Sequence, residues 1–295
     1  MSVGSPFHPR TAPLNRKMQW REWSGYFASS AYADAHDIEY NAVREAAALF
    51  DVSPLYKYIV SGPDATRLVD RVITRDATKL KVGGVVYSPW CDENGKVVDD
   101  GTIHRLDEDR YRWTAADPQL RWLRQNSAGL DVTLTDESEA TAALALQGPL
   151  SRAVLEAATG ESFADLGYFK RRASSIEGIA IDVSRTGYTG DLGYELWLPT
   201  GSAVAVWDAV MAAGAAYGAG ALLRHHDQRT TAASSHPDRE PASDPTSSAP
   251  PTVGVPTETV PFASTKRTWS NVMLLPASAS NRWTKSCCPS ATFTC

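Results

Sequence analysis

The sequence predicts an α+β fold, because helix and strand patterns are mixed without a strict β-α-β alternation. The turn Asp92-Glu93-Asn94-Gly95 lies between two apolar segments, a pattern typical of a β-hairpin. No repeat with a fixed period of about 20–50 residues is visible, which argues against a solenoid. With 295 residues, 43% of them hydrophobic, the chain is long enough and apolar enough for a substantial core.

The predicted elements follow one another as apolar segments separated by short turns. Helical spacing predicts a first helix over Asp37–Phe50 with Asp37 as its N-cap. Gly62-Pro63-Asp64 opens a second helix that runs through Val72. The other predicted helices are Pro118–Gln125, Leu150–Ala158 and Val204–Ala213. The predicted strands are Tyr56–Val60, Val85–Ser88, Lys96–Arg105, Tyr111–Thr114, Val132–Leu134, Ala142–Leu146, Ile179–Ser184 and Tyr194–Leu198.

The composition changes near Tyr217. Residues 218–295 hold nine of the 18 prolines together with eleven serines and eleven threonines, and they have no hydrophobic period. Such a segment buries too little apolar surface to offset the entropy of ordering its backbone. We therefore predict a folded domain over 1–217 and a low-complexity, disordered tail over 218–295, with at most one short element around Val272–Leu275.

Charge and cysteine content exclude several classes of protein. The chain has 29 Lys and Arg against 34 Asp and Glu, a net charge of −5, which argues against nucleic-acid or anionic-membrane partners bound through bulk charge. It lacks a run of roughly 20 apolar residues and a secretion signal at Met1–Arg10, so we expect a cytoplasmic protein with no membrane partner. Four cysteines without a C-x-x-C pair predict neither a disulfide framework nor a metal site.

Two adjacent acids, Asp99 and Asp100, interrupt an otherwise apolar predicted strand. Because side chains alternate faces in a strand, only one of them can face the interior. An inward carboxylate is costly unless it is paired, hydrogen-bonded or directed at a ligand. The alternative is a strand end with both acids solvated, or one acid capping a turn. Gly101 allows a ligand or a neighbouring backbone to approach closely.

The segment from Ser184 to Leu196 contains glycines at 187, 190 and 193. It is not a G-x-G-x-x-G fingerprint, so dinucleotide binding is not supported. Glu195 begins an apolar strand and is expected to face inward, where a carboxylate can accept paired hydrogen bonds from a planar, N–H-rich heterocycle. The alternative is a hairpin that carries Arg185 and Glu195 on its surface. Tyr87 can contact a ligand, although a lone aromatic residue in a strand is more often part of the core.

Taken in order, these motifs resemble the folate-dependent aminomethyltransferase family over about Pro6–Tyr217. The matching segments are Ala42–Arg44, Leu49–Ser53, Val60–Ala65, Tyr87, Asn94–Asp100, Ala143–Pro149 and Ser184–Leu196. The resemblance implies a cloverleaf-like fold with tetrahydrofolate as the cofactor in a central channel. It also implies that Asp100 is the catalytic aspartate, that Glu195 holds the pterin and that Tyr87 lines its pocket, with Arg185 and Tyr188 in supporting roles.

The resemblance implies an aminomethyltransferase of the glycine cleavage T-protein type, which takes its one-carbon unit from a small methyl or aminomethyl donor or from a lipoyl carrier protein. Departures such as Ser53-Pro54-Leu55, in place of the common Ser-His-Met, also fit a folate-dependent demethylase of another donor. A non-catalytic folate-binding module or an inactive fragment is the further alternative. The family pattern continues into a C-terminal barrel domain, whereas here it is lost after Arg224. We expect an out-of-frame sequence from about Gly218, with that domain missing.

Overall fold

The computed structural model describes residues 1–217 of the chain. Its strands are β1 (Trp20–Trp23), β2 (Tyr26–Ser29), β3 (Ala48–Asp51), β4 (Tyr56–Ser61), β5 (Val85–Cys91), β6 (Val97–Asp107), β7 (Arg110–Ala115), β8 (Thr133–Asp136), β9 (Thr141–Gln147), β10 (Arg171–Ile176), β11 (Ile179–Ser184) and β12 (Gly193–Pro199). Its helices are α1 (His8–Thr11), α2 (His36–Glu45), α3 (Ala65–Val72), α4 (Leu120–Asn126), α5 (Ser151–Thr159) and α6 (Ala203–Gly214).

Two five-stranded antiparallel sheets form the framework. The first sheet has the order β5-β6-β7-β4-β8, and the second sheet has the order β10-β11-β12-β9-β3. Strands β1 and β2 form a separate hairpin. The chain passes from the second sheet to the first between β3 and β4, and it returns between β8 and β9. Both sheets are therefore built from strands that are close in sequence, apart from β3.

Each sheet buries one face against helices. In the first sheet, Trp90, Ile103 and Trp113 pack with Leu68 and Val69 of α3 and with Leu123 of α4. In the second sheet, a separate core combines strand residues with residues of α5 and α6: Leu144, Leu146, Tyr194, Leu196, Val154, Leu155, Val206 and Val210. Because side chains alternate along a strand, the other face of each sheet remains available.

These other faces meet one another. The His104 ring of β6 packs edge-on against Trp197 of β12, with 5.3 Å between ring centroids. The Arg112 guanidinium of β7 lies 5.1 Å from the centre of the Trp197 ring and donates to Asp182 of β11 at 2.6 Å. Arg171 of β10 donates to the other oxygen of Asp182 at 2.7 Å. A buried charge is stable only when it is paired, and this network pairs all three.

The sequence predicts the α+β class and most elements correctly, and one prediction is wrong. The predicted helix Asp37–Phe50 ends at Glu45, and Asp37 lies inside α2, whose N-cap is Ala35. Residues Ala48–Asp51 instead form β3, paired with β9. The pairing with a buried central strand outweighs the local helical spacing.

The sequence did not predict α1, β1, β2 or β10, which are short or rich in polar residues. The predictions for 218–295, including the element at Val272–Leu275, lie outside the described residues. In the part of the chain that the structure describes, every helix is too short or too polar to cross a membrane.

Candidate functional site

The alternation of side chains places Asp100 and Glu195 on the two sheet faces that meet. Asp100 and His104 lie on one face of β6, and Glu195 and Trp197 lie on one face of β12. Since His104 contacts Trp197, these two faces are the ones that oppose each other. Both acids therefore lie away from the helix-covered cores.

Asp100 is exposed and is held by a single phenol. The Tyr87 hydroxyl donates to Asp100 Oδ2 at 2.7 Å, and Tyr87 itself is 46% exposed. Partial burial and the hydrogen bond to Asp100 raise the pKa of Tyr87 to about 12. The phenol therefore stays neutral and remains a donor at physiological pH. The arrangement fixes one oxygen of Asp100 and leaves the side chain exposed.

Asp99 has a different environment from its neighbour. It is buried and accepts hydrogen bonds from the backbone N–H of Asp117 at 3.0 Å and from Gln119 Nε2 at 3.3 Å. Burial raises the pKa of Asp99, and backbone N–H groups oppose that shift. Asp99 ties β6 to the segment that follows β7, so among the two acids Asp100 is the one available to a ligand.

Gly101 is required by a neighbouring backbone. A Cβ atom at this position would lie 1.9 Å from the carbonyl oxygen of Thr114. The Thr114 hydroxyl also accepts from the backbone N–H of Thr102 at 2.9 Å. Of the two explanations for this glycine, close approach of a ligand or of a backbone, the structure supports the backbone.

Glu195 is buried in a row of side chains that crosses the second sheet. Ser184, Glu195, Ala145 and Phe50 are direct neighbours on four adjacent strands. The Thr186 hydroxyl donates to Glu195 Oε2 at 2.5 Å. Burial raises the pKa of Glu195, and hydrogen bonds from Thr186 and Ser184 oppose that shift. Among residues 1–217 no Lys, Arg or His forms an ion pair with Glu195.

A buried glutamine holds the glycine-rich segment between β11 and β12. Gln147 Nε2 donates to the carbonyl oxygens of Thr186 at 3.2 Å and Tyr194 at 3.3 Å. A Cβ atom at Gly187 or Gly193 would lie 2.0 or 2.1 Å from Gln147 Oε1. These glycines therefore make room for Gln147. Sequence reasoning missed this residue, although the signal was there, since Gln147-Gly148-Pro149 ends a predicted strand.

The two remaining predicted site residues lie in different places. Tyr188 is 67% exposed on the glycine-rich segment, and its ring centroid is 6.4 Å from that of Phe50, at the end of the Glu195 row. Arg185 does not join this group, because its Nη1 donates to the carbonyl oxygen of Leu166 at 3.0 Å. Arg185 therefore anchors the segment that precedes β10, and the structure brings together Tyr87 with Asp100 and Tyr188 with the Glu195 row.

The arrangement offers two acids with different properties. Glu195 is a buried acceptor held by the Thr186 hydroxyl, and Asp100 is a solvent-accessible acceptor held by a neutral phenol. Such a pair suits a ligand with a flat, donor-rich end and a nitrogen centre that gains positive charge or releases a proton. Among the described residues, no group of three or more His, Cys, Asp or Glu is placed to hold a metal ion.

Comparison with known proteins finds one family model and several curated relatives that match the chain. Residues 8–224 match the family described as the GCVT N-terminal domain. A trimethylamine-oxide aldolase of Ruegeria pomeroyi is 37% identical, over 74% of this chain and 29% of its own. An aminomethyltransferase of Herpetosiphon aurantiacus is 36% identical, over 72% of this chain and 59% of its own.

The solved structures include a similar fold. The glycine cleavage system aminomethyltransferase T from Bartonella henselae matches with a TM-score of 0.64 and 26% identity, over 72% of this chain and 57% of that one. The chain spans about half the length of other curated aminomethyltransferases that it matches. The α+β fold that the sequence predicts is therefore confirmed as an aminomethyltransferase-like fold.

Proposed function

The chain belongs to the GCVT N-terminal domain family, and from this premise we propose that it acts in tetrahydrofolate-dependent one-carbon transfer of the aminomethyltransferase type. Its curated relatives include several aminomethyltransferases. The observation that carries the proposal is the placement of Asp100 and Glu195 on the opposing faces of two sheets. This placement supports a ligand that spans the space between them.

Glu195 fits the pterin end of tetrahydrofolate. A reduced pterin presents neighbouring N–H donors along one edge of a flat ring, and a carboxylate can accept two of them side by side. Glu195 is buried, free of an ion pair in the described part of the chain and held at one oxygen by Thr186. Phe50 and Tyr188 supply an aromatic boundary at the other end of the row.

Asp100 fits the reacting end. When bound, tetrahydrofolate supplies the nitrogens that take up the one-carbon unit. The free oxygen of Asp100 orients the amine of the donor and stabilises positive charge that develops there. The same oxygen can accept a proton and return it to the leaving group. The Tyr87 hydroxyl holds the carboxylate in place during these steps.

A second candidate is a folate-dependent demethylase that acts on a small methylated donor. Two observations favour it: the relative named trimethylamine-oxide aldolase is 37% identical, and Ser53-Pro54-Leu55 differs from the usual aminomethyltransferase segment. The two candidates share Asp100 and Glu195 and differ in the donor. That donor is a lipoyl-bound aminomethyl group in the first case and a small methylated molecule in the second.

The proposal is tested with the full chain and two measurements. Titration calorimetry with tetrahydrofolate should detect binding that Glu195→Gln weakens about 10- to 100-fold, because a buried charged acceptor is lost. Glu93→Gln, in the exposed hairpin turn, is the matched control and should bind like the wild type. Donors of both classes are then offered, and methylated or methylene-bearing tetrahydrofolate is measured by mass spectrometry.

Each outcome separates the candidates. Product from aminomethyl-lipoyl carrier alone supports the aminomethyltransferase, and product from small methylated amines, ethers or sulfonium compounds supports the demethylase. Binding without product from any donor supports a non-catalytic folate-binding module. Absence of tetrahydrofolate binding overturns the proposal.

A further inference from the structure

A continuous line of buried polar groups leads to Glu195 from inside the second sheet. Trp197 Nε1 donates to Ser184 Oγ at 3.3 Å. Ser184 Oγ lies 2.8 Å from Thr186 Oγ1, which donates to Glu195 Oε2 at 2.5 Å. The four residues are between 0% and 7% exposed. The line is therefore shielded from water along its length.

The hydrogen bonds at the two ends of this line have a fixed direction. An indole N–H can only donate and an ionised carboxylate can only accept. Ser184 therefore accepts from Trp197, and Thr186 donates to Glu195. The Ser184 hydroxyl proton is left to donate toward Thr186 and the Glu195 carboxylate. Hydrogen bonds aligned in this way polarise one another, so each strengthens the next in a low-dielectric interior.

The Trp197 indole, at which the line begins, is itself held in place by contacts with the first sheet. The Trp197 ring contacts both His104 and Arg112 of the first sheet. Arg112 is paired with Asp182, which is the direct neighbour of Trp197 on β11. The indole therefore has little freedom to turn its N–H away from Ser184. Contact between the two sheets sets the orientation of the line that ends at Glu195.

We propose that Trp197, Ser184 and Thr186 form a donor relay in which Thr186 is the positioning residue that presents Glu195 as an ionised acceptor to the pterin. The proposal rests on the proposed function, because it assigns a task to the carboxylate that the function requires. It extends that function by naming three residues that act through Glu195 and not on the ligand.

Charged groups around Glu195 do not replace the relay. Tyr188 on the glycine-rich segment interacts electrostatically with Glu195, and the strand neighbours Ala145 on β9 and Phe50 on β3 carry no charge. His104, Arg112 and Asp182 lie one step further away, as contacts or strand neighbours of Trp197. Burial lowers the pKa of His104 well below its usual range, so this ring is neutral. Arg112 is engaged by Asp182. The hydroxyls of Thr186 and Ser184 are thus the groups that oppose the rise in the pKa of Glu195.

The relay is tested by the titration of Glu195 in the full chain, followed by ¹³C-carboxyl NMR with labelled glutamate. Thr186→Val keeps the side-chain shape and removes the donor, so the pKa of Glu195 should rise, and Thr186→Ser should restore it. Ser184→Ala and Trp197→Phe should give smaller increases. Ser174→Ala and Trp113→Phe are matched controls, because Ser174 Oγ and Trp113 Nε1 are buried without a hydrogen-bond partner in the described region.

Tetrahydrofolate affinity supplies the second readout. Thr186→Val should weaken binding about 10- to 100-fold at neutral pH and move the acid limb of the binding profile to higher pH, since a hydrogen bond to a charged group is lost. Thr186→Ser should bind within about 3-fold of the wild type, because it keeps that donor. Near-UV circular dichroism verifies that each variant is folded, and Thr186→Ser together with Ser184→Ala remain informative if Thr186→Val does not fold.

The outcomes separate the relay from the function on which it rests. An unchanged Glu195 titration in Thr186→Val and Ser184→Ala overturns the relay, whatever the affinity for folate. A shifted titration in a protein whose wild type does not bind tetrahydrofolate overturns the proposed function and leaves the relay as a property of the fold. A shifted titration with unchanged tetrahydrofolate affinity overturns the positioning role.

Discussion

The two acids of the candidate site are held in opposite ways. Asp100, on the first sheet, is exposed and is fixed by the phenol of Tyr87. Glu195, on the second sheet, is buried and is fixed by the hydroxyl of Thr186 with Ser184 behind it. Neither acid has a cationic partner in the described part of the chain. The negative charge of Asp100 is therefore stabilised by solvent, and that of Glu195 by hydroxyl dipoles.

This difference in exposure suits the two acids to the two different tasks of the proposed function, reaction and ligand recognition. A solvent-accessible carboxylate can exchange protons and adapt to a donor, which suits a reacting group. A buried carboxylate carries a desolvation cost that a ligand with matching donors relieves, which suits a recognition group. The comparison predicts that changes on the first sheet affect turnover and that changes on the second sheet affect binding.

The largest expected effect is on turnover. Asp100→Asn should lower the rate of one-carbon transfer roughly 10²-fold or more while tetrahydrofolate affinity stays within a few-fold, because the amide keeps the shape and loses the charge. Single-turnover kinetics with the identified donor measure the rate. Asp109→Asn, an exposed acid in the following turn, is the control. A near-normal rate in Asp100→Asn would remove the catalytic role from this residue.

The second largest expected effect is a loss of folding stability when a glycine in either region is replaced by alanine. Gly101→Ala places a Cβ atom 1.9 Å from a backbone carbonyl, and Gly187→Ala places one 2.0 Å from the end of the Gln147 side chain. A backbone yields less than a side chain, so we expect losses of about 2–3 kcal/mol for Gly101→Ala and about 1 kcal/mol for Gly187→Ala. Urea unfolding at constant m-value measures both. The reverse order would show that Gln147 is the more rigid obstacle.

A smaller loss of transfer rate is expected when the Tyr87 phenol that holds Asp100 is removed. Tyr87→Phe removes the hydrogen bond to Asp100 Oδ2 and keeps the ring. The rate should fall about 3- to 10-fold, in line with about 0.5–1.5 kcal/mol for one hydrogen bond. The double variant with Asp100→Asn provides the test. If the two losses simply multiply, Tyr87 does not act through Asp100.

The smallest expected effect is a gain in folding stability when Glu195 is replaced by glutamine. Burial raises the pKa of Glu195 above its ordinary value of 4.5, so the folded state binds a proton more readily than the unfolded state. Stability is therefore greatest below that ordinary value and falls as the pH rises through the folded pKa. At pH 7.5, Glu195→Gln should gain on the order of 1 kcal/mol, or about 2–4 °C in Tm for a domain of this size.

The gain in Glu195→Gln should disappear below about pH 4, where Glu195 is protonated in both states. Thermal unfolding without ligand across this pH range measures it. A constant difference between the two proteins at all pH values would mean that the charge of Glu195 is not the cause.

Sequence patterns predicted most of the first sheet, and the reason is local. The Asp92–Gly95 turn and its flanking strands are adjacent in the chain, so turn chemistry and alternation determine them together. β3 was predicted as helix because its partner residues on β9 lie 93 to 99 positions away, and a pairing at that distance leaves no local signal. Gln147 was missed although it stands at the end of a predicted strand, because its partners Thr186 and Tyr194 lie far along the chain.

The sequence by itself determined the α+β class, the hairpin, and the Asp99–Asp100 pair and Glu195 as candidate acids, because turns, strand alternation and isolated charges in apolar segments are local properties. Only the tertiary structure decided which acid of the Asp99 and Asp100 pair faces the site, that Arg185 lies elsewhere, and that Trp197 is linked to Glu195 through two hydroxyls. These features depend on which sheet faces meet, and that follows from packing between segments far apart in the chain.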